Sequence, residues 1–284
     1  MRRRINTPTL RLLVLHLTGL LAVLVGLGTS VAQPAPLLSL PAAAAALPPT
    51  PVVRAVAPPA PKPTPVRTRQ VLVVLGDSVP AATACNCAGF ATDLARSVQP
   101  ALLTNAAEGG MTSAGLLAQL NSPAVMRALS QATVVTVTVG ANDFDDELAD
   151  DPSCVSAPCY APTLRSLSTT MGQVATRLNA LTRPTTKIIL TGYWNVFLDG
   201  AVGARHGRNY VATSDALTRQ VNAVIAAVAA AGHDHYADLY SPFKGDGSRD
   251  DTALLAADGD HPDAAGHQLI AAVIASSAGL STLQ

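Results

Sequence analysis

The chain has 284 residues, 49% of them hydrophobic and only 13% charged, with equal numbers of basic and acidic groups. The zero net charge is a sum of unlike parts: residues 1–66 carry six basic groups and no acid, leaving the rest with 13 basic and 19 acidic groups, a net of −6. An acidic body excludes a nucleic-acid-binding domain built on a basic patch, and the hydrophobic content excludes a chain disordered throughout.

Arg2, Arg3 and Arg4 precede an apolar run from Leu12 to Gly28, and Ser30, Val31 and Ala32 follow it with small residues at the expected cleavage spacing. This is the pattern of a secretory signal peptide over residues 1–32. An uncleaved membrane anchor is the rival reading, since the run approaches the ~20 residues that span a bilayer. Both place the body outside the cytoplasm, secreted or held at the outer face of the membrane, because the basic end stays inside. Residues 33–66 hold 11 of the 21 prolines, and Ala42 to Ala46 form an unbroken run. Such a segment packs no core and is expected to be a disordered, extended linker giving reach from membrane or cell wall. Residues 67–284 remain, enough for one α/β domain with a sizeable core.

Within that body, Val71 to Leu75 is a short apolar run ended by Gly76, as expected for a strand buried on both faces. Gly89 to Val98 has helical character, Ala101 to Thr104 is a weaker strand, and Ser113 to Leu120 with Ala124 to Leu129 is again helical. Thr133 to Val139 is nearly all β-branched and is the strongest strand. Leu164, Leu167, Met171, Val174 and Leu178 give helical spacing to the stretch from Thr163 to Leu181. Strands at Thr186 to Thr191 and Tyr236 to Tyr240 alternate with helices at Ala212 to Ala230 and Ala264 to Ser276. The alternation predicts an α/β fold with a parallel sheet of about five strands covered on both faces. In such sheets the site lies beyond the carboxyl ends of the strands.

Those ends carry unusual polar sequences. Gly76, Asp77 and Ser78 follow the first strand, and Asn105 to Gly110 follow the second. Gly140, Ala141, Asn142 and Asp143 follow the third, and Asp258 to Pro262, including His261, precede the last helix. A serine hydroxyl becomes a nucleophile when a base takes its proton, and that base is a His held in one tautomer by a carboxylate. Ser78 and His261 fit those roles. Asp258, three residues before the His, is the expected orienter; Asp260 is adjacent, and neighbouring side chains of an extended segment point apart. For the oxyanion of acyl transfer, Asn142 offers a side-chain N–H, Gly110 an unobstructed backbone N–H, and Ser78 its own amide. Singly, each of these residues is equally a cap or turn residue.

As a set, Gly-Asp-Ser, a following Gly, Gly-x-Asn-Asp and Asp-x-x-His-Pro resemble the SGNH hydrolases, the GDSL esterase/lipase superfamily. The resemblance runs from about Val71 to the final helix. It implies a three-layer α/β/α sandwich with a flavodoxin-like sheet. It also implies Ser78 as nucleophile, His261 as base, Asp258 as orienter, and an oxyanion hole of Ser78, Gly110 and Asn142. Gly110 fits the register counted from Asn105, with Gly109 beside it as the alternative.

The four cysteines, on an exported chain, suggest two disulfides, Cys154 with Cys159 and Cys85 with Cys87, with crossed pairings open. No His lies near either pair at zinc-site spacing, so no metal is expected. His233 and His235 share a face without a third ligand, and the acidic run from Asp143 to Asp151 is expected to be a solvated loop. His206 and His267 are expected on the surface or in a helix. There is neither a dinucleotide fingerprint nor a P-loop pattern, so no cofactor is expected. Tyr193, Trp194 and Phe197 cluster after the fourth strand and are expected to line the substrate site, with 195–209 as a wall or lid.

The expected activity is hydrolysis of carboxylic esters by a monomer, on a small-molecule, lipid or polysaccharide substrate. Polysaccharide deacetylation and acyl transfer to another alcohol use the same site. A non-catalytic extracellular binding module would need no activated serine.

Overall fold

The computed structural model of the chain describes residues 70–144 and 157–280. The leader, the Pro-rich linker, most of the acidic run and Cys154 lie outside the described residues. Among the described residues no helix is long and apolar enough to cross a membrane.

Five parallel strands form the sheet: β1 (Val71–Gly76), β2 (Leu102–Asn105), β3 (Val134–Thr138), β4 (Lys187–Thr191) and β5 (His235–Ala237). Their order is β2-β1-β3-β4-β5. This is the doubly wound, flavodoxin-like order, which reverses direction at β1 and β3 and leaves a crevice beyond their carboxyl ends. β1 and β3 are central and almost wholly buried, which is why their sequences are continuous runs of Val, Leu and Thr rather than alternating ones.

The longer helices follow the apolar periodicity. They are α2 (Gly89–Val98), α3 (Ser113–Gln119), α4 (Pro123–Gln131), α5 (Ala157–Leu181), α7 (Arg208–Gly232) and α9 (Ala264–Ser277). α2 packs on α9, while α5 packs on α3 and α7, giving a layer on each face of the sheet. The expected fold class is therefore the observed one.

Three short helices have no apolar periodicity: α1 (Ser78–Ala81), α6 (Gly200–His206) and α8 (Tyr240–Lys244). An aspartate stands at or just before the start of each. Asp77 and Asp199 accept the amides of Val79 and Gly200. Asp238 accepts the Tyr240 amide at 2.9 Å and the Ser241 hydroxyl at 2.5 Å. The Asp238 turn explains why β5 stops at Ala237, short of the strand expected to reach Tyr240. The segment 195–209, expected as a loop, contains α6.

The junction of β1 with α1 fixes the position of Ser78. Gly76 has φ +129, and a Cβ there would stand 1.9 Å from the Thr138 carbonyl oxygen on β3. That same oxygen accepts the Asp77 N–H at 2.9 Å. Gly76→Ala is expected to cost about 3 kcal/mol or more, read as a lower midpoint in urea unfolding, because both the torsion and the contact are closed to a side chain. An unchanged midpoint would mean that the turn is not held as described.

Candidate active site

Ser78 opens α1 beyond β1, and His261 lies in the loop before α9. Ser78 Oγ and His261 Nε2 are 2.8 Å apart across 183 residues of sequence. On the far side of the ring, His261 Nδ1 is 3.0 Å from Asp258 Oδ2 and 2.9 Å from Asp260 Oδ1. The second contact corrects the expectation that Asp260 points away. Gly259, with φ +88, turns the segment. Asp258 Oδ1 accepts the amide of His261 at 3.2 Å, so the loop folds over and delivers both carboxylates to one nitrogen. The signal was present in the sequence: a glycine between two acids marks a turn, not an extended run.

These carboxylates stabilise the imidazolium. The Asp260 hydrogen bond, opposed by burial and helped by the charges of Asp260 and Asp258, pushes the His261 pKa up to about 9. Burial alone would raise Asp260, but its contacts with His261 leave it below the usual carboxylate range.

A cleft of about 320 Å³ opens over Ser78 and His261, with Gly109, Gly110, Asn142 and Phe197 among its walls. Asn142 follows β3 in a short 3-10 turn (Ala141–Asp143), and its Nδ2 donates to the Met111 carbonyl at 3.2 Å. A carboxamide nitrogen has two hydrogens, so one anchors the side chain and the other is available to the cleft. The neighbouring Asp143 accepts the Ser113 amide at 2.8 Å and also the Ser113 hydroxyl. Burial raises the Asp143 pKa, against the lowering effect of those two bonds. Both contacts tie the loop carrying Gly110 to the end of β3. Gly110 has φ +76 and open space where a Cβ would stand. Gly109 also lines the cleft, so both glycines remain at the site. The Ser78 amide, at the first position of α1, has no intrahelical acceptor. The arrangement can move a proton from a hydroxyl to an imidazole beside N–H donors suited to an oxyanion.

The expected aromatic wall is corrected in part. Phe197 lines the cleft, as does its neighbour Val196. Tyr193 and Trp194 are fully buried and take no part in the lining. The strand-end rule placed them near the site but did not give their direction.

Cys85 and Cys87 lie between α1 and α2, their Cα atoms 5.1 Å apart and their sulfurs adjacent. The pairing of Cys154 with Cys159 falls partly outside the described residues; Cys159 itself is exposed on α5. The sequence showed no His near either pair, yet the fold brings buried His267 to Cys85 and Cys87, with ligating atoms within 4.8 Å of one another. His267 Nδ1 accepts the Phe90 amide at 3.1 Å, which keeps the ring proton on Nε2, and burial pushes its pKa down to about 4. His267 is thereby in a helix, α9, the second of the two expected placements, and is a buried core acceptor there. His233 caps α7 in the left-handed region and His235 opens β5.

Solved structures share this architecture. The extracellular lipase of Streptomyces rimosus superposes with TM-score 0.58 at 20% identity, covering 73% of this chain and 99% of its own. A phospholipase A1 of Streptomyces albidoflavus gives 0.56 at 21%, covering 74% and 100%. An acetylxylan esterase of Geobacillus stearothermophilus gives 0.54 at 18%, covering 74% and 94%. At such identities these likenesses define the fold alone, a three-layer α/β/α sandwich. The family follows from the sequence pattern itself: residues 74–269 match the model of the GDSL-like Lipase/Acylhydrolase family, and the chain belongs to that family. No curated protein matches it.

Proposed function

We propose that the protein is a secreted serine hydrolase that cleaves carboxylic esters through an acyl-enzyme on Ser78. The observation that carries this reading is the 2.8 Å contact of Ser78 Oγ with His261 Nε2, backed by carboxylates on Nδ1. Ser78 Oγ attacks the ester carbonyl carbon as its proton passes to His261 Nε2. The carbonyl oxygen becomes an oxyanion, received by the Ser78 amide, the Gly110 amide and Asn142 Nδ2. Collapse expels the alcohol, which takes the proton from His261. Water then gives a proton to His261 and attacks the acyl carbon; the acid leaves and Ser78 regains its proton.

The cleft beside Ser78, walled by Val196 and Phe197, is where the acyl group would sit. Small-molecule, lipid and acetylated polysaccharide esters all present such a group. Rates on p-nitrophenyl acetate, butyrate and palmitate, for wild type and Ser78→Ala, test the reading. Turnover that falls to background in Ser78→Ala is expected, undiminished turnover would overturn the reading, and the chain-length profile separates a deacetylase from a lipase.

Two further outcomes follow. Asn142→Ala is expected to lower kcat by about 10²–10³-fold with little change in stability. A smaller effect on kcat than on KM would remove Asn142 from the oxyanion site. A general base works deprotonated, so a His261 pKa near 9 predicts that kcat/KM climbs as pH rises, with a midpoint near 9 instead of the 6.5 of an unperturbed His. A kcat/KM flat from about pH 7 upward would contradict that electrostatic picture.

Export by the N-terminal leader, spacing by the Pro-rich segment and a Cys85–Cys87 disulfide complete the proposal. N-terminal sequencing of the released protein and thiol alkylation with and without reductant check them.

A further inference from the structure

We propose that Tyr193 and Trp194 form a strut that sets the separation of Ser78 from His261, each acting as a positioning residue. The inference rests on the serine-hydrolase reading above. The two residues are consecutive, immediately beyond β4, and each donates one hydrogen bond to a different half of the site. Tyr193 Oη donates to Asp77 Oδ2 at 2.5 Å. Trp194 Nε1 donates to the Asp260 carbonyl at 3.1 Å. The two rings meet edge-on with centroids 6.3 Å apart, while their polar tips reach different elements.

Each contact is one residue from a reacting group. Asp77 precedes Ser78, and its other oxygen accepts the Val79 amide at 3.0 Å, so its carboxylate and the nucleophile turn move together. Asp260 precedes His261. Nothing covalent within 180 residues joins these two halves; the Tyr193–Trp194 pair is a short, stiff link between them.

The base of the strut is itself fixed. Asn222 of α7 clamps the Tyr193 backbone from both sides, its Oδ1 accepting the amide at 2.8 Å and its Nδ2 donating to the carbonyl at 2.7 Å. Gly192 donates to the Ala237 carbonyl at 3.0 Å, and a Cβ on it would meet Tyr236 Oη at 2.3 Å. Trp194 stacks on Phe243 of α8 with centroids 4.7 Å apart. Phenylalanine at 193 would fill the same space, whereas at 194 it would be smaller than the buried indole. The polar tips are what a core-filling role does not need, and each has found a partner on the catalytic elements.

Tyr193→Phe removes one tip while keeping the ring and so separates the two roles, and Trp194→Phe tests the other arm at the cost of some packing. A misplacement of about 1 Å between reacting groups costs about 10²-fold in rate. Tyr193→Phe is expected to lower kcat about 10–100-fold, with KM within about threefold of wild type, and Trp194→Phe about tenfold in the same manner. Labelling of Ser78 by a fluorophosphonate is expected to slow in parallel. The double variant is expected to lose less than the product of the single losses, since both act on one distance. All rates are taken per folded molecule of the full chain, counted by circular dichroism and completed labelling. A kcat at the wild-type level in both single variants would overturn the strut, whatever their melting temperatures. Where Tyr193→Phe yields no folded protein, a wild-type kcat in Trp194→Phe overturns the strut by itself. Failure of the underlying reading looks different: the wild-type protein would then take no fluorophosphonate on Ser78.

Discussion

Ser78→Ala is expected to lower kcat on the order of 10⁶-fold while leaving the fold intact. The change removes one oxygen from a partly exposed side chain at the start of α1, and the turn that presents it is held by other groups. Gly76 lies against the Thr138 carbonyl, Asp77 caps the helix, and neither involves the hydroxyl. Melting temperature and circular dichroism should therefore match wild type. The residual rate should be that left by the donors at the end of β3 and in the Gly110 loop, since positioning and oxyanion stabilisation survive loss of the nucleophile. Activity within tenfold of wild type would remove Ser78 from the chemistry.

The second large effect concerns the carboxylates. Because Asp258 and Asp260 both reach His261 Nδ1, either one alone can hold the tautomer and stabilise the imidazolium. Single replacements by Asn are expected to cost about tenfold each, and the double variant about 10⁴-fold, the loss seen when an orienting carboxylate is removed altogether. Asp260→Asn should lose more than Asp258→Asn, because Asp260 contributes most to the raised His261 pKa and is the more buried of the two. It should also move the kcat/KM midpoint downward from about 9, since the imidazolium loses its main stabilising partner. If Asp258→Asn alone reproduced the double variant, Asp260 would be a bystander.

The contrast between what was legible in the sequence and what was not has a physical basis. Ser78, Gly110, Asn142 and His261 lie in local motifs at strand ends or before a helix, and the sheet order brings those ends to one crevice. Alternation and the strand-end rule point to Ser78, Gly110 and Asn142, while His261 is reached through the chemistry of a serine nucleophile and the family resemblance. Asp260 was misjudged because its side chain depends on one torsion, that of Gly259. Tyr193 and Trp194 were placed at the right strand end, but their direction is set by Asn222, 29 residues later in α7. His267 reaches the Cys85–Cys87 turn through a contact with Phe90 that spans 177 residues, which no spacing rule reports. The short helices α1, α6 and α8 depend on single aspartates at or just before their starts, and four to seven residues are too few to show a period.

The fold also explains why the site is built where it is. The sheet reverses direction at β1 and β3, so the chain leaving β1 delivers Ser78 and the chain leaving β3 delivers Asn142 to the same opening. β4 then supplies Tyr193 and Trp194 beneath it, and the loop ahead of α9 closes it with His261.

The central claim is an acyl-enzyme on Ser78. The measurement that tests it most directly is intact-protein mass spectrometry after an acid quench of the enzyme mixed with excess p-nitrophenyl acetate, followed by peptide mapping. One acetyl group per molecule, located on Ser78 and missing from Ser78→Ala, is the predicted result. Turnover of the ester with no adduct on Ser78, undiminished in Ser78→Ala, would contradict the account.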